Sequence, residues 1–152
     1  MVDSPREIEN LLYLYAERID AGDFDGVADL FRHGCILGPD GEPLVRGREQ
    51  VRGLYETSTR LYENGTPCTQ HVTSNVIIEV DDTSSSAAAR SRFTVFQCLP
   101  DFPLQAIIMG RYADRFEYLD GGWWFVERDI RVEHVGDVRH HLLIELPYSP
   151  GG

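Results

Sequence analysis

Four long stretches in the second half of the chain decide the fold: HVTSNVIIEV (residues 71–80), AAARSRFTVFQC (87–98), LQAIIMGRYADRFEY (104–118) and WWFVERDIRVEHV (123–135). Each is rich in β-branched and aromatic residues, as strands usually are. The segments between them are short and contain turn-forming residues such as Asp120-Gly121-Gly122. Short connections favour antiparallel neighbours, so the sequence predicts four consecutive long antiparallel strands.

The first part of the chain predicts helices instead. Ser4-Pro5-Arg6-Glu7 has the pattern of a helix start, with Ser4 as the cap. Apolar residues then recur at helical spacing up to Ile19, and Gly22 suits the left-handed conformation that often ends a helix. A short second helix is expected at 24–31 and a third at 48–62.

The remaining segments complete the predicted architecture. A turn signal at 38–41 lies between two short apolar stretches and predicts a small hairpin. Helices first and long strands afterwards are typical of an α+β domain with helices on one face of a curved, mainly antiparallel sheet. With 152 residues, the chain fits a single domain with a core at about 5–135. In the tail from 136 to 152, a last strand is expected at 140–146, followed by a loose end.

Composition narrows the function classes. There are 14 basic and 25 acidic residues, a net charge of −11, which disfavours binding to nucleic acid. A neutral, cationic or mostly apolar small molecule suits this charge better than a polyanion, and the partner expected is a small, mostly apolar substrate. No apolar run approaches 18 residues and no secretory leader pattern is present, so we expect a cytoplasmic protein without membrane contact. The three cysteines, Cys35, Cys68 and Cys98, are an odd number at wide spacing, which favours reduced thiols.

No cofactor is predicted. The chain has no glycine-rich phosphate loop, so a nucleotide cofactor is not indicated. His140 and His141 are adjacent in the tail, but neighbouring side chains on a strand diverge, and closely spaced ligand motifs such as HxH or HExxH are lacking. A metal site is therefore not expected.

Several motifs in order resemble the SnoaL-like branch of the nuclear transport factor 2-like superfamily: YAERIDAGD (15–23), LF (30–31), GRE (47–49), QHVTSN (70–75), GRYADRF (110–116) and DGGWW (120–124). The resemblance covers residues 5 to 135. It implies a cone-shaped α+β barrel, closed by three helices around an internal pocket. Relatives include scytalone dehydratase, bile acid dehydratase, a hexachlorocyclohexane dehydrochlorinase, polyketide cyclases and proteins without catalytic activity, so the fold alone does not decide the function.

The resemblance implies a catalytic pair. In the dehydratase and dehydrochlorinase relatives, an Asp near the end of the first helix pairs with the His that opens the long strand, and these positions match Asp20 and His71. A neutral imidazole is a suitable base near pH 7, and a carboxylate on its other nitrogen fixes the tautomer and stabilises the imidazolium. Alternatively, Asp20 is simply a polar residue that ends the helix, and His71 is a hydrogen-bonded histidine at the edge of a strand.

Tyr15 is the third candidate catalytic residue, because a Tyr at this spacing before the Asp occurs in the bile acid dehydratase pattern. It precedes Asp20 by five residues, or about 500° of helix, so the two side chains do not share a narrow face. A bend near Gly22 would bring both toward the pocket, where Tyr15 would stabilise a developing enolate. Core packing is the alternative for Tyr15, which lies on the apolar stripe of its helix.

Candidate substrate-binding residues are Arg128, Arg131, Tyr55 and Trp124. Strict alternation along the last strand places Arg128 on the face of Trp124 and Arg131 on the face of Trp123. Either arginine would anchor a substrate oxygen, with a solvated or ion-paired side chain as the alternative. Tyr55 is expected on the inward face of the third helix.

The residues and the family resemblance together leave three functions open. The first is a cofactor-independent lyase or isomerase acting on a small, mostly apolar cyclic substrate. The second is a polyketide cyclase-type tailoring enzyme, and the third is a non-catalytic binding or dimerisation module. A homodimer is expected in each case, with the aromatic residues of the last two strands forming its interface.

Overall fold

Three helices and a hairpin precede the long strands in the computed structural model, which describes residues 3–146. The helices are α1 (Ser4–Asp20), α2 (Phe24–Leu30) and α3 (Gly47–Ser58). The hairpin strands are β1 (Cys35–Leu37) and β2 (Pro43–Arg46). The long strands are β3 (Thr69–Asp81), β4 (Ser86–Leu99), β5 (Phe102–Leu119) and β6 (Gly122–Val135).

The six strands form one sheet in the order β2-β1-β6-β5-β4-β3. All neighbours are antiparallel except β1 and β6, which run parallel. The long strands follow one another along the chain and in the sheet, as their short connections predict. The α+β fold class and its curved, mainly antiparallel sheet are confirmed.

Local signals set the helix ends. The cap of α1 is Asp3 rather than Ser4: its carboxylate accepts from the Arg6 backbone N–H at 3.2 Å, and Ser4 is already helical. Gly22 has a φ of +72°, the left-handed conformation expected for it. Asp23 then caps α2 by accepting from the Gly26 N–H at 2.9 Å.

The hydrophobic core lies between the helices and one face of the sheet, here called the inner face. Its residues include Ile8 and Leu12 of α1 and Val27 of α2, all fully buried. From the sheet, Phe93 stacks on Tyr112, with ring centroids 4.4 Å apart. The opposite, outer face carries charged residues.

A β-bulge in β6 reverses the predicted faces of that strand. Arg115 pairs with Glu127 and Phe116 pairs with Phe125, so Val126 is an extra residue in β6. Because one inserted residue moves later side chains to the other face, Arg128 shares the inner face with Phe125 and not with Trp124. The prediction from strict alternation was therefore wrong.

Two other predictions were wrong near the C-terminus. α3 ends at Ser58, not at residue 62, because Thr59 is extended and forms an isolated bridge with Leu142. The expected strand at 140–146 does not form: residues 139–141 make a turn, and the bridge at Leu142 is the only strand pairing of this segment among the described residues. The loose end expected at 147–152 lies outside the described residues.

Within residues 3–146, no helix combines the length and the apolar character needed to cross a membrane.

Candidate active site

The His71 imidazole and the Asp20 carboxylate are in direct contact. Nδ1 of His71 lies 2.6 Å from Oδ1 of Asp20. The His71 backbone N–H donates to Oδ2 at 2.7 Å, and the Thr69 hydroxyl donates to Oδ1 at 2.9 Å. Held by three groups, the carboxylate orients the imidazole and favours the tautomer with its proton on Nδ1. We call His71 and Asp20 the dyad.

The fold brings these two residues together from the end of α1 and the start of β3. Asp20 is the last residue of α1, and the chain then turns at Gly22. A Cβ at Gly22 would lie 2.0 Å from the Gly65 carbonyl oxygen, so the end of α1 packs directly on the segment that leads into β3. The dyad side chains are largely shielded, with 8% of His71 and 19% of Asp20 exposed.

Tyr15 and Tyr55 form a second polar contact inside the cone. Their hydroxyl groups hydrogen-bond to each other, and the Tyr15 ring packs edge-on against Tyr112, with centroids 5.9 Å apart. Burial raises the pKa of both Tyr15 and Tyr55 above that of a free phenol. Both hydroxyls are therefore protonated at neutral pH, and the one that accepts from the other keeps its hydrogen for a further acceptor. The structure thus places Tyr15 and Tyr55 together inside the cone, as candidates for contact with a ligand.

Arg128 is fully buried beside these tyrosines. Its Nε and Nη2 donate to the two oxygens of Asp114 at 2.8 and 3.1 Å, a bidentate pair with no exposed surface. The centre of the guanidinium lies 3.6 Å from the Tyr112 ring centroid and 4.2 Å from that of Tyr15, both close cation–π contacts. Nη1 has no hydrogen-bond partner among residues 3–146. It is thus a buried donor without an acceptor among these residues.

The other two predicted substrate-binding residues lie elsewhere. Arg131 is on the outer face, 53% exposed, and its Nε donates to Asp129 at 2.8 Å. Trp124 packs edge-on against His33, with ring centroids 4.9 Å apart, and Arg32 lies over its ring. Trp124 alternates with the buried Trp123 and Phe125, and the bulge at Val126 places Arg131 on the face opposite Phe125.

His141 is a residue near the dyad that the sequence reasoning did not identify. It is 4% exposed, and its ring centroid lies 6.3 Å from that of His71. Burial, helped by the nearby His71, lowers the pKa of His141 to about 4, so its imidazole is neutral at pH 7. Its Nδ1 is buried without a partner among the described residues. The only sequence signal was the histidine pair 140–141, which was weighed solely as a metal ligand.

The tail holds His141 in place through backbone contacts. The Arg60 N–H donates to the His141 carbonyl at 2.8 Å, and the Leu143 N–H donates to the Ser58 carbonyl at 2.9 Å. The Tyr62 hydroxyl and Nε2 of Gln97 both donate to the carbonyl of His140. The segment after β6 therefore lies across the loop that follows α3 and brings His141 to the dyad.

Aromatic side chains fill the centre of the cone. Five grooves have volumes of about 420 to 640 Å³, and neither His71 nor Asp20 lines any of these five within residues 3–146. The largest of the five is mainly apolar and is lined by Leu54 of α3 and by Ile130 and Val132 of β6. Because Tyr15, Tyr55 and Phe93 are buried in this centre, a ligand bound there would displace packed side chains.

Comparison with known families agrees with this architecture. Residues 1–129 match the model of the SnoaL-like domain. The chain belongs to the SnoaL-like domain family. A search of curated protein sequences found no match. The family match ends before the tail, so His141 comes from outside the stretch of the chain that defines the SnoaL-like domain.

Solved structures share the SnoaL-like fold at low sequence identity. A variant of Rv3472 from Mycobacterium tuberculosis is 24% identical, with a TM-score of 0.69 over 86% of this chain and 77% of that chain. A proposed scytalone dehydratase from Novosphingobium aromaticivorans is 23% identical, with a TM-score of 0.68 over 88% and 86%. ActVI-ORFA from Streptomyces coelicolor is 16% identical, with a TM-score of 0.69 over 86% and 98%. At these identities the likeness establishes the fold alone.

Proposed function

We propose that this SnoaL-like protein is a cofactor-independent acid–base enzyme, most simply a lyase of the dehydratase type or an isomerase. The observation that carries the proposal is the contact between Nδ1 of His71 and Oδ1 of Asp20 at 2.6 Å. An imidazole oriented by a shielded carboxylate is the arrangement that general-base catalysis requires.

The dyad suits the removal of a proton from carbon. With Nδ1 bonded to Asp20, Nε2 of His71 is the nitrogen left to act as the base. In a dehydration, Nε2 would take the proton beside a carbonyl group, and the resulting imidazolium would give that proton to the hydroxyl on the next carbon, which leaves as water. In an isomerisation, the same proton would return to a different carbon. Asp20 stabilises the imidazolium in both reactions.

The substrate proposed is small, cyclic and mostly apolar. Aromatic side chains around Tyr15 and Tyr112 surround the inner face, and the largest groove is lined by Leu54, Ile130 and Val132. An oxygen of the substrate would accept from the tyrosine hydroxyl whose hydrogen is not used in the Tyr15–Tyr55 bond. The same groups would serve the ring closure of a polyketide cyclase-type enzyme, the alternative reaction class.

The packed interior favours a second candidate function, a binding module without turnover. Tyr15, Tyr55 and Phe93 occupy the centre of the cone, and neither dyad residue lines the grooves described above. A ligand-binding role would need only displacement of these side chains, whereas catalysis also needs a substrate carbon within reach of Nε2. The two candidates differ in whether the substrate exchanges a proton.

The test combines proton exchange with variants of the dyad. A panel of cyclic ketones and cyclic β-hydroxy ketones is incubated with the protein in D₂O, and deuterium uptake beside the carbonyl is followed by mass spectrometry, with enone absorbance reporting dehydration. We expect turnover of at least one compound, with a loss of about 10²–10⁴-fold in His71→Ala and Asp20→Asn. His134→Ala, a change at an exposed histidine, is the control and should leave the rate unchanged.

Two results would oppose the proposal. Equal exchange in His71→Ala and the wild-type protein, with the fold verified by circular dichroism, would exclude His71 as the base. Saturable binding of a panel compound without exchange or product would favour the binding module.

We also propose a homodimer, and the outer face of the sheet is its proposed interface. Of the aromatic residues of the last two strands, Tyr112, Trp123 and Phe125 are buried on the inner face, and Trp124 packs on His33. The outer face offers arginines and carboxylates instead, such as Arg111 beside Glu133 at 3.4 Å. Sedimentation equilibrium over a concentration series would test this, and a monomer at every concentration would refute it. A cytoplasmic location also stays a prediction.

A further inference from the structure

Cys68 and Cys98 lie opposite each other where β3 and β4 begin to pair. The register aligns Thr69 with Gln97, so Cys68 and Cys98 are the next residues outward on the two strands. The Cys98 backbone N–H donates to the Cys68 carbonyl at 3.3 Å. Opposed residues of antiparallel strands have Cα atoms about 4.5–5.5 Å apart, within the range of roughly 4.4–6.8 Å that disulfides span.

Both thiols are accessible, and the third thiol is not. Cys98 is exposed and Cys68 is half-buried, and the two residues border the same groove of about 430 Å³ beside Val72 and Phe96. Cys35 is 3% exposed, and burial raises the pKa of its thiol, which makes it a poor nucleophile. Cys68 and Cys98 are therefore the two thiols open to oxidation, and the buried Cys35 serves as an internal control.

The backbone at Cys68 has a conformation that is unusual for a residue with a side chain. Its φ is +56°, and its N–H donates to the Thr66 hydroxyl at 3.2 Å instead of joining the strand ladder. Directly opposed residues on extended strands point their side chains to the same face. A change of Cys68 to extended backbone would therefore place its thiol beside that of Cys98.

We propose that Cys68 and Cys98 form a reversible intramolecular disulfide when they meet a small disulfide oxidant such as oxidised glutathione. The exposed Cys98 thiolate attacks one sulfur of the oxidant, forms a mixed disulfide and releases one glutathione thiolate. The Cys68 thiolate then attacks the Cys98 sulfur and displaces the second glutathione. Two protein thiols become one disulfide, and one oxidised glutathione becomes two reduced molecules.

The crosslink would join residues that adjoin the dyad and the tail. Thr69, next to Cys68, donates to Asp20 at 2.9 Å. Gln97, next to Cys98, donates from Nε2 to the carbonyls of Pro67 and His140, both at 3.1 Å. A disulfide at this point would therefore fix the strand ends that support Asp20 and hold the tail. The thiol chemistry itself does not depend on any reaction inside the cone.

The experiment is oxidation of the folded, full-length protein with oxidised glutathione, followed by intact mass and non-reducing peptide mapping. We expect the loss of two hydrogen atoms, a single peptide pair joining Cys68 to Cys98, and full reversal by dithiothreitol. Cys68→Ser should stop at the mixed disulfide and retain one glutathione on Cys98. Cys35→Ser, the matched control, should form the Cys68–Cys98 crosslink at the wild-type rate.

Three outcomes would overturn the proposal. Two stable glutathione adducts, one on each cysteine, would mean that the thiols cannot reach each other. A disulfide between two copies of the chain would replace the intramolecular crosslink. A crosslink that includes Cys35 would show that oxidation follows unfolding. Because every readout is a mass, the result is independent of whether the proposed enzyme activity exists.

Discussion

Removing the carboxylate of Asp114 should strongly destabilise the protein. Arg128 is fully buried, and two of its nitrogens donate to Asp114 at 2.8 and 3.1 Å. In Asp114→Leu the guanidinium would keep its charge, since arginine does not lose its proton in proteins, and it would be left unpaired in the core. Breaking a buried pair in this way costs about 3–5 kcal/mol. For a domain of this size, that lowers the melting temperature by about 6–20 °C.

Urea unfolding followed by the fluorescence of Trp123 and Trp124 measures the change. The double variant Asp114→Leu/Arg128→Met replaces both charges with apolar side chains and should recover most of the lost free energy. Arg131→Met removes a half-exposed arginine from the same strand and should change stability by less than about 1 kcal/mol. A loss below about 1 kcal/mol in Asp114→Leu, or a double variant less stable than the single one, would refute the reasoning.

Two further predictions concern pH and glycine. The pKa of His141 is about 4 in the folded protein and about 6.5 when unfolded, so between these values the unfolded chain binds more protons. The contribution of neutral His141 to the free energy of unfolding is fully present above about pH 6.5 and is lost as the pH drops toward 4, by up to about 3 kcal/mol. Urea unfolding at several pH values should show a smaller loss in His141→Gln than in the wild-type protein. An equal loss in both would contradict this. In Gly110→Ala, the new Cβ would lie 2.3 Å from the Arg131 carbonyl and 2.8 Å from the Phe93 ring, at a cost of about 1–3 kcal/mol. Gly53→Ala, in α3 with nothing within 4 Å, should instead stabilise by about 0.5–1 kcal/mol; melting temperatures that shift the same way in both variants would show the reasoning to be wrong.

Local chemistry explains why most of the element order was predictable. Helix starts and strand turns depend on neighbouring residues, as the cap of α2 at Asp23 and the left-handed Gly22 illustrate. The dyad was found differently. Asp20 and His71 are 51 residues apart, and no local rule joins them; only the resemblance to a family of known fold brought them together before the structure did so at 2.6 Å.

The features that were missed depend on contacts between distant segments. Alternation along β6 is interrupted at Val126, and the sequence there, Phe125-Val126-Glu127, has no glycine or proline to mark a bulge. The end of α3 at Ser58 is decided by the pairing of Thr59 with Leu142, more than 80 residues later. The same pairing places His141 beside His71. The predicted end of α3 at residue 62 and the predicted strand at 140–146 were therefore wrong for one reason.

The register of the sheet places the dyad far from the ion pair between Arg128 and Asp114. His71 pairs with Val95, whereas Arg128 pairs with Asp114 and, through it, with Ala89, six residues away along β4. At about 3.3 Å per residue, the two backbone positions lie about 20 Å apart along the strand, and the Arg128 side chain spans only part of that distance. Stability effects at sites this far apart are expected to be additive. Asp114→Leu and His71→Ala should therefore have independent effects on the free energy of unfolding, and a coupling energy well above about 0.5 kcal/mol would mean that the interior responds as one unit.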